Sequence, residues 1–359
     1  MENKENISPS STRNPWFWGL KYLAFSLIPC IALLIAGEVF LRFSNFRYSD
    51  TPLLMLSKPE TIANSSFTKR KINLIKDKYQ LWVSLPTFEQ RYGAEKNKPP
   101  KVKRIITLGC SCTQACAYTT RSYPDHMEEI LNAKFPFGFR VINAGEGSYT
   151  SFQGLQRLKR EIVSYEPDIL TVFFGWNDHW AAMTPDHLVK VKANWQIDLI
   201  NFLEKFRVYQ AYHWLIAQIK AKILKKERQE IRGNYRVPPE KYEKNLNDII
   251  NICLSNKIQP VLITAPFDAA QIRSSQNFPF SREALLETHH TYNEIVRKVG
   301  MARGVVVIDL EVFFLQVEPQ RLSLYFSDGI HFTPRGCKLV AELIVQRMQE
   351  LSVIQNPFQ

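Results

Sequence analysis

Glycine is scarce in this chain, with 14 residues in 359, which excludes collagen-like and linker-rich architectures. Cysteine is scarcer, with six residues and no Cys-x-x-Cys pair, far below the density of a disulfide-stapled scaffold. A chain this long buries a core without covalent staples, so cysteine usage leaves the redox compartment open. There is no internal repeat or low-complexity tract. Zinc-finger spacing, an RRM signature and a basic region with heptads are all missing, so nucleic acid is not an expected partner. Yet 46 Lys+Arg against 34 Asp+Glu give a net charge of +12. That excess reads as a generic basic surface, or as attraction to an anionic neighbour such as a phospholipid surface. A hydrophobic content of 45% with 22% charged residues describes a folded protein.

The one long uncharged run lies near the start. From Tyr22 to Gly37 no residue is charged, and counting on to Leu41 gives about 20 residues, enough to span roughly 30 Å of hydrocarbon. Trp16, Trp18 and Tyr22 form an aromatic belt at one end, and Arg42 closes the other. Pro29 can kink such a helix without preventing insertion. A cleaved signal would have a shorter apolar region and a small-residue cleavage site, and neither is found. The expectation is a transmembrane anchor over 16–42, behind a disordered polar tail over 1–15. Lys4, Arg13 and Lys21 on one side nearly balance Arg42 and Arg47 on the other, so flanking charge leaves the orientation open.

Residues 43–100 read as a stalk and peripheral segment, with a basic stretch at Lys69, Arg70 and Lys71. From 101 to 359 the pattern becomes regular. Apolar runs at Arg104–Gly109, Phe139–Gly145, Ile169–Gly175, Pro260–Ala265 and Val305–Leu310 alternate with helical periodicity. The helical stretches are Tyr123–Phe135, Phe152–Tyr165, Glu240–Leu254, Glu283–Val299 and Cys337–Leu351, the last capped by Thr333 with Pro334 in its first turn. This alternation predicts an α/β domain, a five-stranded parallel sheet between two helical layers. A helical excursion over about 181–237 interrupts it. There, Lys205, Arg207, Lys220, Lys222, Lys225, Lys226 and Arg228 interleave with Phe202, Phe206, Tyr209, Tyr212 and Trp214. It reads either as a solvated helical pair with snorkelling lysines or as a lid touching a bilayer surface.

Open parallel sheets place their chemistry beyond the carboxyl ends of the strands. The first run ends in Gly109-Cys110-Ser111, the second in Asn143-Ala144-Gly145-Glu146-Gly147 and the third in Gly175-Trp176-Asn177-Asp178. Near the C-terminus lies Ser327-Asp328-Gly329-Ile330-His331. Ser111 is a candidate nucleophile once a base takes its proton. His331 is the candidate base, and Asp328 the group that fixes its tautomer. Backbone N–H groups at Ser111 and Gly145, with the Asn177 amide, are candidate oxyanion donors.

These blocks, in this order across roughly residues 102–350, resemble the SGNH hydrolases, the GDSL esterase/lipase superfamily. The resemblance implies a flavodoxin-like fold and a serine esterase working through an acyl-enzyme, with no metal or cofactor. It extends to the N-terminal helix, since membrane-tethered members carry one ending in a Glu and an Arg, like Glu38 and Arg42. For such members it implies a catalytic domain outside the cytoplasm. The chain departs from the family at Cys110, where an acidic residue is usual. The α/β-hydrolase pattern fits worse, because Thr113 stands where the nucleophile elbow needs glycine.

The implied substrate is an ester, an O-acylated glycan or a lipid. Transfer of the acyl group to a sugar hydroxyl would use the same residues, so an O-acyltransferase stays open, as does a non-catalytic envelope module that binds glycans or protein partners. Cys110, Cys112 and Cys116 lack the paired spacing of a zinc site and read as small loop-lining residues, one of which would pair with Cys253 or Cys337 in an oxidising compartment. His289, His290, His126, His179, His187 and His213 read as packing or surface histidines. Asp178 reads as a loop brace, and Trp176 and Trp180 as either pocket lining or packing.

Overall fold

The computed structural model describes residues 15–49, 73–114, 121–182, 184–223, 235–272 and 281–354. The expected tail, the basic stretch at 69–71, Cys116 and the lysines at 225–226 lie outside them. The first apolar run is one long helix, α1 (Pro15–Phe43). Its stretch Phe25–Phe43 has a mean hydropathy of 1.9 and is buried nowhere in the protein, so it is long and apolar enough to cross a membrane.

Next come an antiparallel hairpin, β1 (Asn73–Asp77) with β2 (Leu81–Leu85), and a short helix α2 (Phe88–Tyr92). The hairpin was not anticipated in the peripheral segment. Its alternation is too brief to register, yet it buries Trp82 completely. The central sheet is built from β3 (Lys103–Gly109), β4 (Phe139–Gly145), β5 (Ile169–Phe173), β6 (Gln259–Ile263) and β7 (Val306–Ile308). Its order is β4-β3-β5-β6-β7 and every pairing is parallel. β3 and β5 are buried almost end to end because the sheet is covered on both faces, so their side chains read as continuous apolar runs.

One face carries α4 (Tyr123–Lys134) and α12 (Pro334–Glu350), which pack on each other. The other carries α5 (Ser151–Arg160), α8 (Pro239–Ser255) and α9 (Arg282–Arg303). Short helices fill the connections: α3 (Ser111–Gln114), α10 (Leu310–Leu315) and α11 (Pro319–Leu322). Thr333 caps α12 as expected, its hydroxyl accepting from Gly336 N at 3.1 Å. The chain thus adopts the expected three-layer fold. Strand order reverses about β3, so the carboxyl ends of β3 and β5 form the switch point at which sheets of this kind place their sites.

The excursion between β5 and α8 holds two helices, α6 (Asn194–Leu203) and α7 (Arg207–Ile223). Its two ends are tied together at the base. Ala181 bridges Tyr235, Asp186 N donates to Arg236 O at 2.7 Å, and Val237 N donates to Asp178 O at 2.9 Å. The Arg236 side chain, 2% exposed, forks onto both Asp186 carboxylate oxygens at 3.1 and 2.9 Å. It also reaches Ser148 O at 2.7 Å and Gln153 Oε1 at 2.8 Å, so it fastens the excursion to the loop after β4.

Breaking a buried pair by removing one partner leaves the other charge uncompensated, at a cost of roughly 3–5 kcal/mol. Arg236→Met should therefore destabilise the protein by about that amount in a denaturant titration. Adding Asp186→Asn should recover part of the loss.

Candidate active site

The site is assembled from strand ends. β3 delivers the chain straight into α3, so Ser111 sits one residue beyond buried Cys110, at the head of a single helical turn. That turn is seated on β4. A Cβ added to Gly145 would lie 2.4 Å from Gln114 N and 2.7 Å from the Thr113 carbonyl carbon, so only glycine permits the approach. Flanking side chains hold the seat. Asn143 Nδ2 donates to Thr113 O and Gln114 O, each at 2.9 Å. Buried Glu146 accepts from Gln114 Nε2 at 3.1 Å and from Arg157 at 3.1 Å.

His331 arrives from the loop before α12. Its Nε2 lies 2.8 Å from Ser111 Oγ, and its Nδ1 lies 2.7 Å from Asp328 Oδ2. The other oxygen, Asp328 Oδ1, accepts from Ile330 N at 3.0 Å and His331 N at 2.8 Å. This tight turn needs Gly329 in the left-handed region, φ +88°, and the Gly329 carbonyl is gripped in turn by Asp268 N at 2.9 Å. The loop thus aims the carboxylate at the imidazole before any substrate arrives.

The electrostatics agree with this geometry. Burial alone would disfavour the imidazolium, but the hydrogen bond and charge of Asp328 outweigh it and raise the His331 pKa above its ordinary value. Burial would also raise Asp328, yet His331 and the two backbone donors bring it down to about 2. The carboxylate stays ionised while the imidazole is poised to accept the serine proton.

The candidate oxyanion donors stand at or just beyond the ends of neighbouring strands. Gly145 pairs with Gly109 in the β3–β4 register, and its N–H donates to Asn143 Oδ1 at 2.9 Å. One Asn177 amide hydrogen goes to Tyr149 O at 2.9 Å, and the amide has a second to offer. Fully buried Asp178 braces this loop, accepting from Ser151 Oγ at 2.6 Å, Ser151 N at 2.8 Å and Gly175 N at 3.1 Å. Burial pushes its carboxyl up to about 7.

The other candidates sort into structure. His179 and His289 are buried, with His179 Nε2 and His289 Nδ1 2.9 Å apart, and Trp176 stacks on His289 at 3.7 Å. Burial lowers both histidines. Cys110 and Cys112 are free, buried thiols beside the nucleophile, and the hydrogen bond between them brings Cys110 down to about 7. Cys253 is also free, whereas Cys337 is disulfide-bonded. Among the described residues, no three His, Cys, Asp or Glu side chains converge as metal ligands would. Asn143 and Glu146 were not singled out as site residues, although both stand in the block after the second strand. Only the fold reveals that they hold the nucleophile's helix.

A serine, a histidine and an aspartate in relay at the carboxyl edge of a parallel sheet define a serine acyl hydrolase. Residues 106–339 match the GDSL-like lipase/acylhydrolase family, and the chain belongs to that family of carboxylic ester hydrolases. It is 21% identical over 249 residues to the uncharacterized lipoprotein YqeF of Bacillus subtilis, covering 66% of this chain and 86% of that one. Among solved structures it is similar to a lipase/acylhydrolase from Enterococcus faecalis, with 21% identity and a TM-score of 0.46 over 70% of this chain and 97% of the other. A variant of the acetylxylan esterase Axe2 from Geobacillus stearothermophilus gives 16% identity and a TM-score of 0.44, covering 69% and 96%.

Because the imidazole must be neutral to act as base, activity should rise with pH through a His331 pKa above its ordinary value. Asp328→Asn removes the carboxylate that raises it, so the acid limb of the pH–rate profile should move to lower pH. The same change should lower turnover by up to about 10⁴-fold by disturbing the tautomer. Ester hydrolysis measured across pH 5–9 reads both effects.

Proposed function

We propose that the protein is a membrane-anchored serine esterase whose catalytic domain lies outside the cytoplasm, acting on an O-acyl ester of a glycan or lipid. The observation that carries this reading is the unbroken relay from Ser111 Oγ through His331 to Asp328. Ser111 attacks the ester carbonyl while His331 Nε2 takes its proton. The Ser111 and Gly145 N–H groups and the Asn177 amide are the donors that steady the oxyanion. His331 returns the proton to the departing alkoxide, leaving an acyl-enzyme and the free alcohol. Water, deprotonated by the same imidazole, then releases the acid and restores the serine.

Two observations favour the anchored, extracytoplasmic setting. No part of the apolar stretch of α1 is buried in the protein, although its last turns touch α7, as suits a helix that passes into lipid. The disulfide at Cys337 belongs to an oxidising compartment. Retention of the complete relay weighs against a module that only binds.

Labelling of the full chain with a fluorophosphonate tests the reading. The parent should label, and Ser111→Ala and His331→Ala should not, while keeping the parent's thermal unfolding profile. Asn177→Ala should still fold and lose about 10²–10³ in ester turnover. A folded parent that refuses the probe would overturn the hydrolase assignment.

A further inference from the structure

The helical pair α6 and α7 turns apolar side chains outward. On α6, Trp195, Leu199 and Phe202 recur at helical spacing, with Trp195 66% exposed and Phe202 53%. On α7, Tyr212, Leu215 and Ile219 do the same, with Tyr212 58% exposed. Stripes of this kind on an ordinary water-facing hairpin have no apolar partner.

Their placement says what covers them. α7 is packed against the end of α1: Val208 N donates to Glu38 Oε2 at 3.0 Å, and Arg42 donates to Lys205 O at 3.2 Å. The Phe46 ring meets Trp214 edge-on at 6.2 Å. At 1.5 Å rise per residue, the Glu38 contact lies about 7 Å short of Phe43, where the apolar stretch of α1 ends. The first turn of α7 therefore sits beside the last turns of α1, so with α1 across a bilayer it comes level with the headgroup and acyl boundary where amphipathic helices lie.

The charge around it has one dominant sign. Arg42, Arg47, Lys190, Lys192 and Lys205 are exposed nearby, against exposed Asp198. Glu38 pairs with Arg42 at 2.7 Å and Glu204 with Lys76 at 3.0 Å, which leaves Arg47, Lys190, Lys192 and Lys205 against Asp198. Burial, then the neighbouring Arg47 and Arg42, lowers the Arg207 pKa, as expected where cations crowd.

We infer that α6 and α7 form a second membrane contact, lying in the headgroup layer of an anionic phospholipid leaflet with their apolar stripes in the acyl boundary. The inference rests on α1 spanning the bilayer. The contact fixes the tilt of the catalytic domain, because α6 grips the β1–β2 hairpin: Lys76 N donates to Asn201 Oδ1 at 2.9 Å, and Asn201 Nδ2 donates back to Lys76 O at 3.0 Å. The hairpin in turn touches the site loop, where Tyr149 OH donates to Trp82 O at 2.7 Å.

The test uses the full chain in nanodiscs of phosphatidylglycerol and phosphatidylcholine. A photoreactive benzoylphenylalanine replaces, one at a time, Trp195, Tyr212, Leu33 on α1 and Phe137 at the far end of the domain. Lipid adducts at 195, 212 and 33 but not at 137 are the expected result. The triple variant Lys190→Glu/Lys192→Glu/Lys205→Glu should cut the adduct yield at 195 and 212 by about five-fold or more, since one cation at an anionic surface contributes about that factor. Adducts at 33 alone, or protein adducts at 195 and 212, would overturn the second contact and leave the anchor standing. No adduct at 33 would overturn the anchor and this inference together. An adduct yield indifferent to the charge reversals would overturn the anionic headgroup as the recognised chemistry.

Discussion

The contact on which the site depends is the seating of one helical turn on one strand end. Gly145 presses against the backbone of α3 more closely than any side chain would allow. Asn143 then caps the turn's carbonyls, and Glu146 holds Gln114 from beneath. Ser111 therefore has its direction set by backbone packing, not by its own hydrogen bonds. With the serine fixed, a mobile imidazole would be the weak point, and the Gly329 turn removes that freedom by tying both Asp328 oxygens to the His331 residue itself.

The layered fold was readable because both-sided burial writes itself as uninterrupted apolar runs, and amphipathic helices write themselves between them. The run at Phe139–Gly145 coincides with β4. The others drift by one or two residues at their ends, where the chain leaves the sheet but stays apolar, as at Phe174 and Ala265, both buried. The candidate residues Ser111, Asp328 and His331 stood out for a different reason: Ser111 comes two residues after Gly109 at the end of β3, and Gly329 lies between Asp328 and His331 in the loop before α12.

What was illegible depends on contacts between segments distant in sequence. The β1–β2 hairpin looked like peripheral chain because its stability comes from Trp82 and Gln80 packing on Tyr149, Gln153 and Arg157, more than 60 residues away. The supports Asn143 and Glu146 carry no local sign of their partners. Arg236, at the end of the basic excursion, is buried on Asp186. Net charge describes what faces solvent poorly when such residues lie inside.

The closed base of the excursion has a consequence for how this architecture can change over time. Residues 181 and 235 are held side by side whatever lies between them. Once two ends are fixed, lengthening the intervening chain adds only a slowly growing entropic cost, about 0.6 kcal/mol per doubling. The segment is thus a socket closed at its base by the Ala181–Tyr235 bridge. Its length and content can change at little cost to the sheet that carries Ser111.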